Sequence, residues 1–211
     1  MRKIDRLLRE ILHHFHERGE RFFNQKNLAE VCDLSLGTVN PVITRLEQIG
    51  AIDRKPLGFR LINPGRAQIY WAVTRELPKD ITYATFVPKK VEEIESDLPK
   101  GSILTAYSGY KAKIGSVPAD YSQVFIYADA AAIRRVHRPT PRKKRNLFVL
   151  TPDEHLARLS EGGVAPLVQT YVDLWQLGAP ASRFVEELEK RLARAPTKAF
   201  EEVARAFKRP A

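Results

Sequence analysis

The sequence predicts an α+β protein in two parts: a small helical domain ending in a β-hairpin, then a mixed α/β domain closed by helices. Two observations predict it. Over residues 1–63, three segments of helical apolar period lead straight into two short strands. From Ile81 onward, β-branched and aromatic runs alternate with helical stretches. Helix, helix, helix, hairpin is the order of a winged helix-turn-helix. The expected architecture is therefore an N-terminal winged helix-turn-helix with a trailing helix over 1–76, followed by a small mixed α/β domain over 80–211 closed by C-terminal helices. Leu77-Pro78-Lys79-Asp80 marks the boundary.

The first element is an amphipathic helix over Arg2–Arg18. Ile4, Leu7, Leu8, Ile11, Leu12 and Phe15 share one face, and Gly19 ends it. Phe22-Phe23-Asn24 leads into a second helix, Gln25–Cys32, with Asn24 as N-cap and Leu28, Ala29, Val31 and Cys32 inward. Asp33-Leu34 turns the chain into SLGTVNPVITRLEQIGAIDRKPLGFRLI, Ser35 to Ile62. Val39, Val42, Ile43, Leu46 and Ile49 give that helix an apolar face; Ser35 suits its N-cap and Gly50 a left-handed stop. Pro41 allows two readings. It lies inside the helix and kinks it, with the carbonyl it crowds belonging to the adaptable Gly37, or it opens a shorter helix capped by Asn40. Ala51–Lys55 and Phe59–Asn63 then form strands around Pro56-Leu57-Gly58. A helix with Ile69, Tyr70 and Val73 apolar follows to Thr74.

In the second part, strands are expected over Ile81–Val87, Gln123–Ala128 and Asn146–Leu150, with a short apolar run at Ile103–Tyr107. Helices are expected over Lys89–Leu98 and Ser108–Ile114, after the cap Asp129, and after Thr151-Pro152-Asp153. Three more close the chain: Pro166–Leu177, Ser182–Arg194 and Thr197–Phe207.

The chain of 211 residues carries a formal net charge of +10 and a pI near 9.8. Such a balance favours polyanionic partners. The charge is concentrated: Ile133–Arg145 holds Arg134, Arg135, Arg138, Arg142, Lys143, Lys144 and Arg145 with no acid. Pro139 and Pro141 make this an extended loop, read either as a second phosphate-binding patch or as a solvated segment. The single cysteine, Cys32, excludes a disulfide scaffold. No segment has the length and apolarity of a membrane span, and the charged N-terminus is unlike a secretory signal, so a cytoplasmic location is expected. His13, His14 and His16 form the one histidine cluster. Adjacent positions diverge on a helix, so solvated or cap-side histidines are expected there and no metal site.

With Val39 and Leu46 inward, the opposite side of the third helix carries Gly37, Pro41, Thr44 and Gln48, flanked by Ser35, Thr38, Asn40 and Arg45. Small and polar groups on such a face suit base edges in a major groove. Gln25 and Lys26 are placed for the DNA backbone, and Arg54, Lys55 and Arg60 put charge on the hairpin. The expected partner is double-stranded DNA, bound by a homodimer on paired half-sites.

The segment VAPLVQTYVDLWQLGAPASRFVEELEKRL, with Pro166, Gln169, Tyr171, Asp173, Leu174, Gly178 and Arg183, resembles the closing segment of AbiEi-type antitoxins, regulators of type IV toxin–antitoxin systems. LTAYSGYKAKIG, Leu104 to Gly115, resembles another short segment of that family. The resemblance implies an N-terminal winged helix that represses the operon's own promoter at inverted repeats. It also implies a C-terminal domain acting against a nucleotidyltransferase-like toxin without a tight complex. On this helix Val168, Tyr171, Leu174 and Leu177 form a core face, and Asp173 beside it is expected to pair with a base such as Arg183.

Two other readings compete. A nucleic-acid-processing enzyme targeted by the winged helix would need clustered carboxylates. Asp97, Asp120, Asp129 and Asp153 stand near strands but in no recognised spacing, and no glycine-rich phosphate loop or nucleophile motif occurs. No catalytic residue, cofactor or metal is therefore assigned. A protein-interaction adaptor is the other alternative, since fold alone does not decide function.

Overall fold

The computed structural model describes residues 2–140 and 144–193. It is mixed α and β, with two small sheets. The described residues divide into two units: Arg2–Val73 together with residues 186–193, and Thr74–Val185.

The first unit opens with α1, Lys3–Arg18, ended by Gly19 in the left-handed conformation (φ 71°). A two-residue strand, β1 (Phe22–Phe23), precedes α2 (Gln25–Val31) and α3 (Leu36–Gln48). The hairpin strands β2 (Ile52–Lys55) and β3 (Gly58–Leu61) follow, then α4 (Pro64–Thr74). The sheet runs β1-β3-β2, antiparallel throughout. β1 has no sequence signature because two residues cannot show alternation; its pairing, Phe22 with Arg60 and Phe23 with Phe59, is made entirely with distant chain. Gly58 permits this pairing. A Cβ there would lie 2.1 Å from the Phe23 carbonyl oxygen.

α3 starts at Leu36, and the reading that begins it at Pro41 is corrected. The Ser35 hydroxyl accepts from the Thr38 amide and caps the helix. Pro41 therefore sits inside the helix, on its exposed side. At the far end Gly50 (φ 66°) closes the helix: its amide donates to Glu47 O and the Ala51 amide to Leu46 O, both at 2.8 Å. The Arg66 guanidinium adds a bond to Ile49 O.

One further expectation is revised by the burial of α1. His13 and His16 are buried rather than solvated, because α1 is enclosed well beyond its apolar stripe; Asp5, Arg9 and Glu10 are buried with them. On α4 the inward residues are Ala67, Gln68, Trp71 and Ala72, while Ile69 and Val73 are exposed. Trp71 sets that rotation. Its ring is fully buried and its indole N–H donates to Asp5 at 2.8 Å.

The second unit contains α5 (Leu77–Asp80), β4 (Ile81–Thr85), α6 (Val91–Ser96), β5 (Ile103–Thr105), α7 (Ala106–Ile114) and β6 (Val124–Tyr127). It continues with α8 (Ala130–Val136), β7 (Leu147–Leu150), α9 (Glu154–Leu159) and α10 (Leu167–Trp175). Residues 181–193 are helical. The last expected helix, Thr197–Phe207, lies outside the described residues. The sheet order is β4-β7-β6-β5, with β6 and β7 parallel and both edges antiparallel. All of β6 is buried, as a strand covered on both faces requires. Val124 and Ile126 pack with Ile94 of α6 and Ile133 of α8. Tyr127, pointing the other way, meets α10.

At that meeting α10 also comes against β5 and α7. Asp173 Oδ2 accepts from Thr105 (2.7 Å) and Tyr127 (2.6 Å); Oδ1 accepts from Arg75 Nε (3.1 Å) and Gln169 (3.0 Å). Arg75 also pairs with Asp80 at 2.5 Å. The partner of Asp173 is thus Arg75, not Arg183, which is exposed. An interior carboxylate requires a partner that is itself withdrawn from water, and Arg75 is only 2% exposed. The rings of Tyr107 and Tyr110 lie edge-on to Phe184 at 5.0 Å, closing the same layer.

Candidate nucleic-acid interface

The candidate surface is built by α2, α3 and the hairpin. Burying Val39, Val42, Ile43 and Leu46 turns the other side of α3 outward. Gly37, Asn40, Pro41, Thr44, Arg45 and Gln48 are exposed along it, with Ser35 at its start and Thr38 half-buried. Arg45 donates to Gln48 at 3.3 Å, one turn on.

Two side chains hold the hairpin against the helices. Arg54 reaches back from β2 to α3, donating from Nε to Glu47 (2.5 Å) and from Nη2 to the Thr44 hydroxyl (2.8 Å). Asn24 accepts the Lys26 and Asn27 amides as the cap of α2 and also donates from Nδ2 to the Leu57 carbonyl at 2.8 Å. The hairpin tip is therefore tied to the start of α2. Between them lies a groove of about 460 Å³, lined by Gln25, Lys26, Leu36, Asn40 and the tip residues Lys55–Gly58.

The expected contact residues have different duties, and those of the hairpin lie on both its faces: Arg54 stands across from the buried Phe59 and Arg60 across from Asp53. Lys26 and Arg60 are exposed cations, and Gln25 is half-buried at the groove. Lys55 pairs with Asp53 at 2.7 Å, both about half exposed. Arg54 is engaged by Glu47 and Thr44, so its first duty is to position the hairpin. The sequence reading missed Glu47, the Asn24–Leu57 bond, and the apolar Leu36 (46% exposed) and Leu57 (77% exposed) beside the groove. Glu47 has a local signal, since it lies three residues after Thr44 on the helix. The Asn24–Leu57 bond spans 33 residues and has none.

The other cation-rich segment belongs to the second unit. Arg134 and Arg135 occupy the last turn of α8, and Arg138, Lys144 and Arg145 are exposed. Arg134 stands over the Tyr83 ring at 4.9 Å. Arg142 and Lys143 lie outside the described residues.

The carboxylates considered for catalysis occupy separate positions. Asp129 accepts the Ala131 amide as the cap of α8, Asp153 the Leu156 amide as the cap of α9, and Asp97 pairs with Lys89. Asp120 lines a cleft beside Tyr107 and Tyr121. Among the described residues, no group of three or more His, Cys, Asp and Glu side chains is placed to hold a metal ion. Nor is any helix among them long and apolar enough to cross a membrane.

Comparison with known proteins gives no relative: no protein-family model, no curated protein and no solved structure matches the chain.

Proposed function

We propose that Arg2–Val73 is a winged helix-turn-helix that binds double-stranded DNA, and that the protein is a sequence-specific transcriptional regulator. The observation that carries this reading is the outward face of α3. Asn40, Thr44, Arg45 and Gln48 stand exposed on it, beside a hairpin anchored by Arg54 and Asn24. In this reading α3 enters the major groove and its polar side chains meet base edges. Lys26, Lys55 and Arg60 meet phosphates, and the Arg54–Glu47 bridge fixes the distance between helix and hairpin. The resemblance to AbiEi-type antitoxins supports the further step that the DNA is the operon's own promoter. There a pair of copies would bind an inverted repeat and repress it, alongside a nucleotidyltransferase-like toxin.

The test is a binding titration on the DNA upstream of the gene. The wild-type chain is expected to prefer that duplex to a scrambled one, and Arg45→Ala to weaken the preferred complex by at least tenfold. Equal affinity for both duplexes, unchanged by Arg45→Ala, would remove the proposal.

A further inference from the structure

We propose that the second unit carries a phosphate-binding cleft of its own, formed where the loop after β4 meets the chain leaving α8. The cleft holds about 350 Å³. Lys89 comes from the first segment, His137 and Arg138 from the second, and Phe86 and Val136 supply apolar wall.

His137 is the observation that points to a ligand. The residue is 6% exposed and its Nε2 has no hydrogen-bond partner among the described residues. A buried polar nitrogen without a partner is costly, and His137 belongs to the lining of a cleft from which a ligand could supply one. Burial holds the imidazole below its ordinary pKa, with Asp97 opposing and Lys89 adding to the shift. The ring is therefore neutral near pH 7, and in its Nε2–H tautomer it donates without carrying charge.

The walls are already in place. Tyr83 donates to the His137 carbonyl at 2.8 Å and Thr85 to that of Arg138 at 3.2 Å. The Thr140 amide returns a bond to the Thr85 hydroxyl, while Asn146 pairs with both backbone groups of Val87. Both segments are thus fastened to the sheet.

The charge selects an anion. Among the described residues Asp97 is the one carboxylate lining the cleft, and it engages Lys89, whose ammonium has further N–H donors. Arg138 lines the cleft as well, and Arg134 and Arg135 lie one turn upstream. Donors from three side chains suit the several acceptor oxygens of a phosphate group better than the two of a carboxylate. The apolar wall suits the remainder of a phosphorylated small molecule, and the neighbouring cations suit a nucleic-acid backbone. The shared chemistry is the phosphate.

The experiment is calorimetric titration of the full chain with inorganic phosphate, adenosine monophosphate and a short single-stranded oligonucleotide. Phosphate is expected to bind at millimolar concentration. Lys89→Gln and the surface variant Val136→Glu, which sets a carboxylate at the cleft without touching the core, should each weaken it at least tenfold. Arg135→Gln, an exposed cation outside the cleft, should change it less than twofold, and Arg45→Ala on α3 not at all. Tighter binding of the nucleotide than of phosphate identifies a free effector; displacement of phosphate by the oligonucleotide alone identifies a backbone. Absence of phosphate binding, or binding indifferent to Lys89→Gln and Val136→Glu, would overturn the proposal.

Discussion

Two helices in this chain carry polar residues among apolar ones and use them in opposite ways. On α3, Asn40, Thr44 and Gln48 lie across the helix from the buried valines and leucine and face outward. On α10, Gln169 and Asp173 lie on the buried side, both at 0% exposure, and their hydrogen bonds go to Arg75, Thr105 and Tyr127. The exposed set is available to another molecule, and among the described residues it does no more within the fold than accept from Arg54 at Thr44 and from Arg45 at Gln48. The buried set holds strands and helices of its unit together and leaves nothing accessible. Tyr171 and Asp173 are interior residues and not a contact surface.

Substitutions can break this contrast, and the largest effect belongs to the interior. Asp173→Ala removes one of the two carboxylates that pair with the buried Arg75, and denaturant unfolding should show a loss of about 3–5 kcal/mol. A loss below about 1 kcal/mol would mean that the network does not hold the unit together. In the first unit, pH probes a different interior group. His16 is buried with a pKa lowered to about 4 from 6.5, burial being the leading cause. The unfolded chain takes up this proton first, so stability is full above pH 6.5 and falls as the pH drops toward 4. About 3 kcal/mol is at stake across that interval. His16→Gln should flatten the corresponding part of the stability profile. A matched pair of glutamines sharpens the comparison further. Gln169→Ala removes donors to Tyr127 and Asp173 and should cost about 1–3 kcal/mol, whereas Gln48→Ala should stay within about 0.5 kcal/mol. The same Gln48→Ala should lower DNA affinity while Gln169→Ala leaves it intact at temperatures where both are folded.

What the sequence reveals follows the range of the interaction concerned. Asn24, Ser35, Asp129 and Asp153 are caps whose partners lie two or three residues away, and each is readable in place. Gly19 and Gly50 are readable for the same reason, as local left-handed stops. The ambiguity at Pro41 arose because Asn40 offers an equally local start; the hydroxyl of Ser35 decides it. β1, the Arg75–Asp173 pair 98 residues apart, and the burial of His13 and His16 depend on what distant chain brings, and no local pattern announces them. The outward face of α3 was legible through helical spacing. The bonds that anchor the hairpin beside it, Arg54 to Thr44 and Asn24 to Leu57, were not.

The central claim is that the outward face of α3 meets a duplex. Backbone NMR of the full chain, titrated with its own upstream DNA, addresses this residue by residue. Shifts are expected to concentrate in residues 24–26, 35–48 and 52–61, with the amides around Asp173 unmoved. Shifts confined to the second unit, with Asn40, Thr44 and Arg45 unperturbed at saturating duplex, would contradict it.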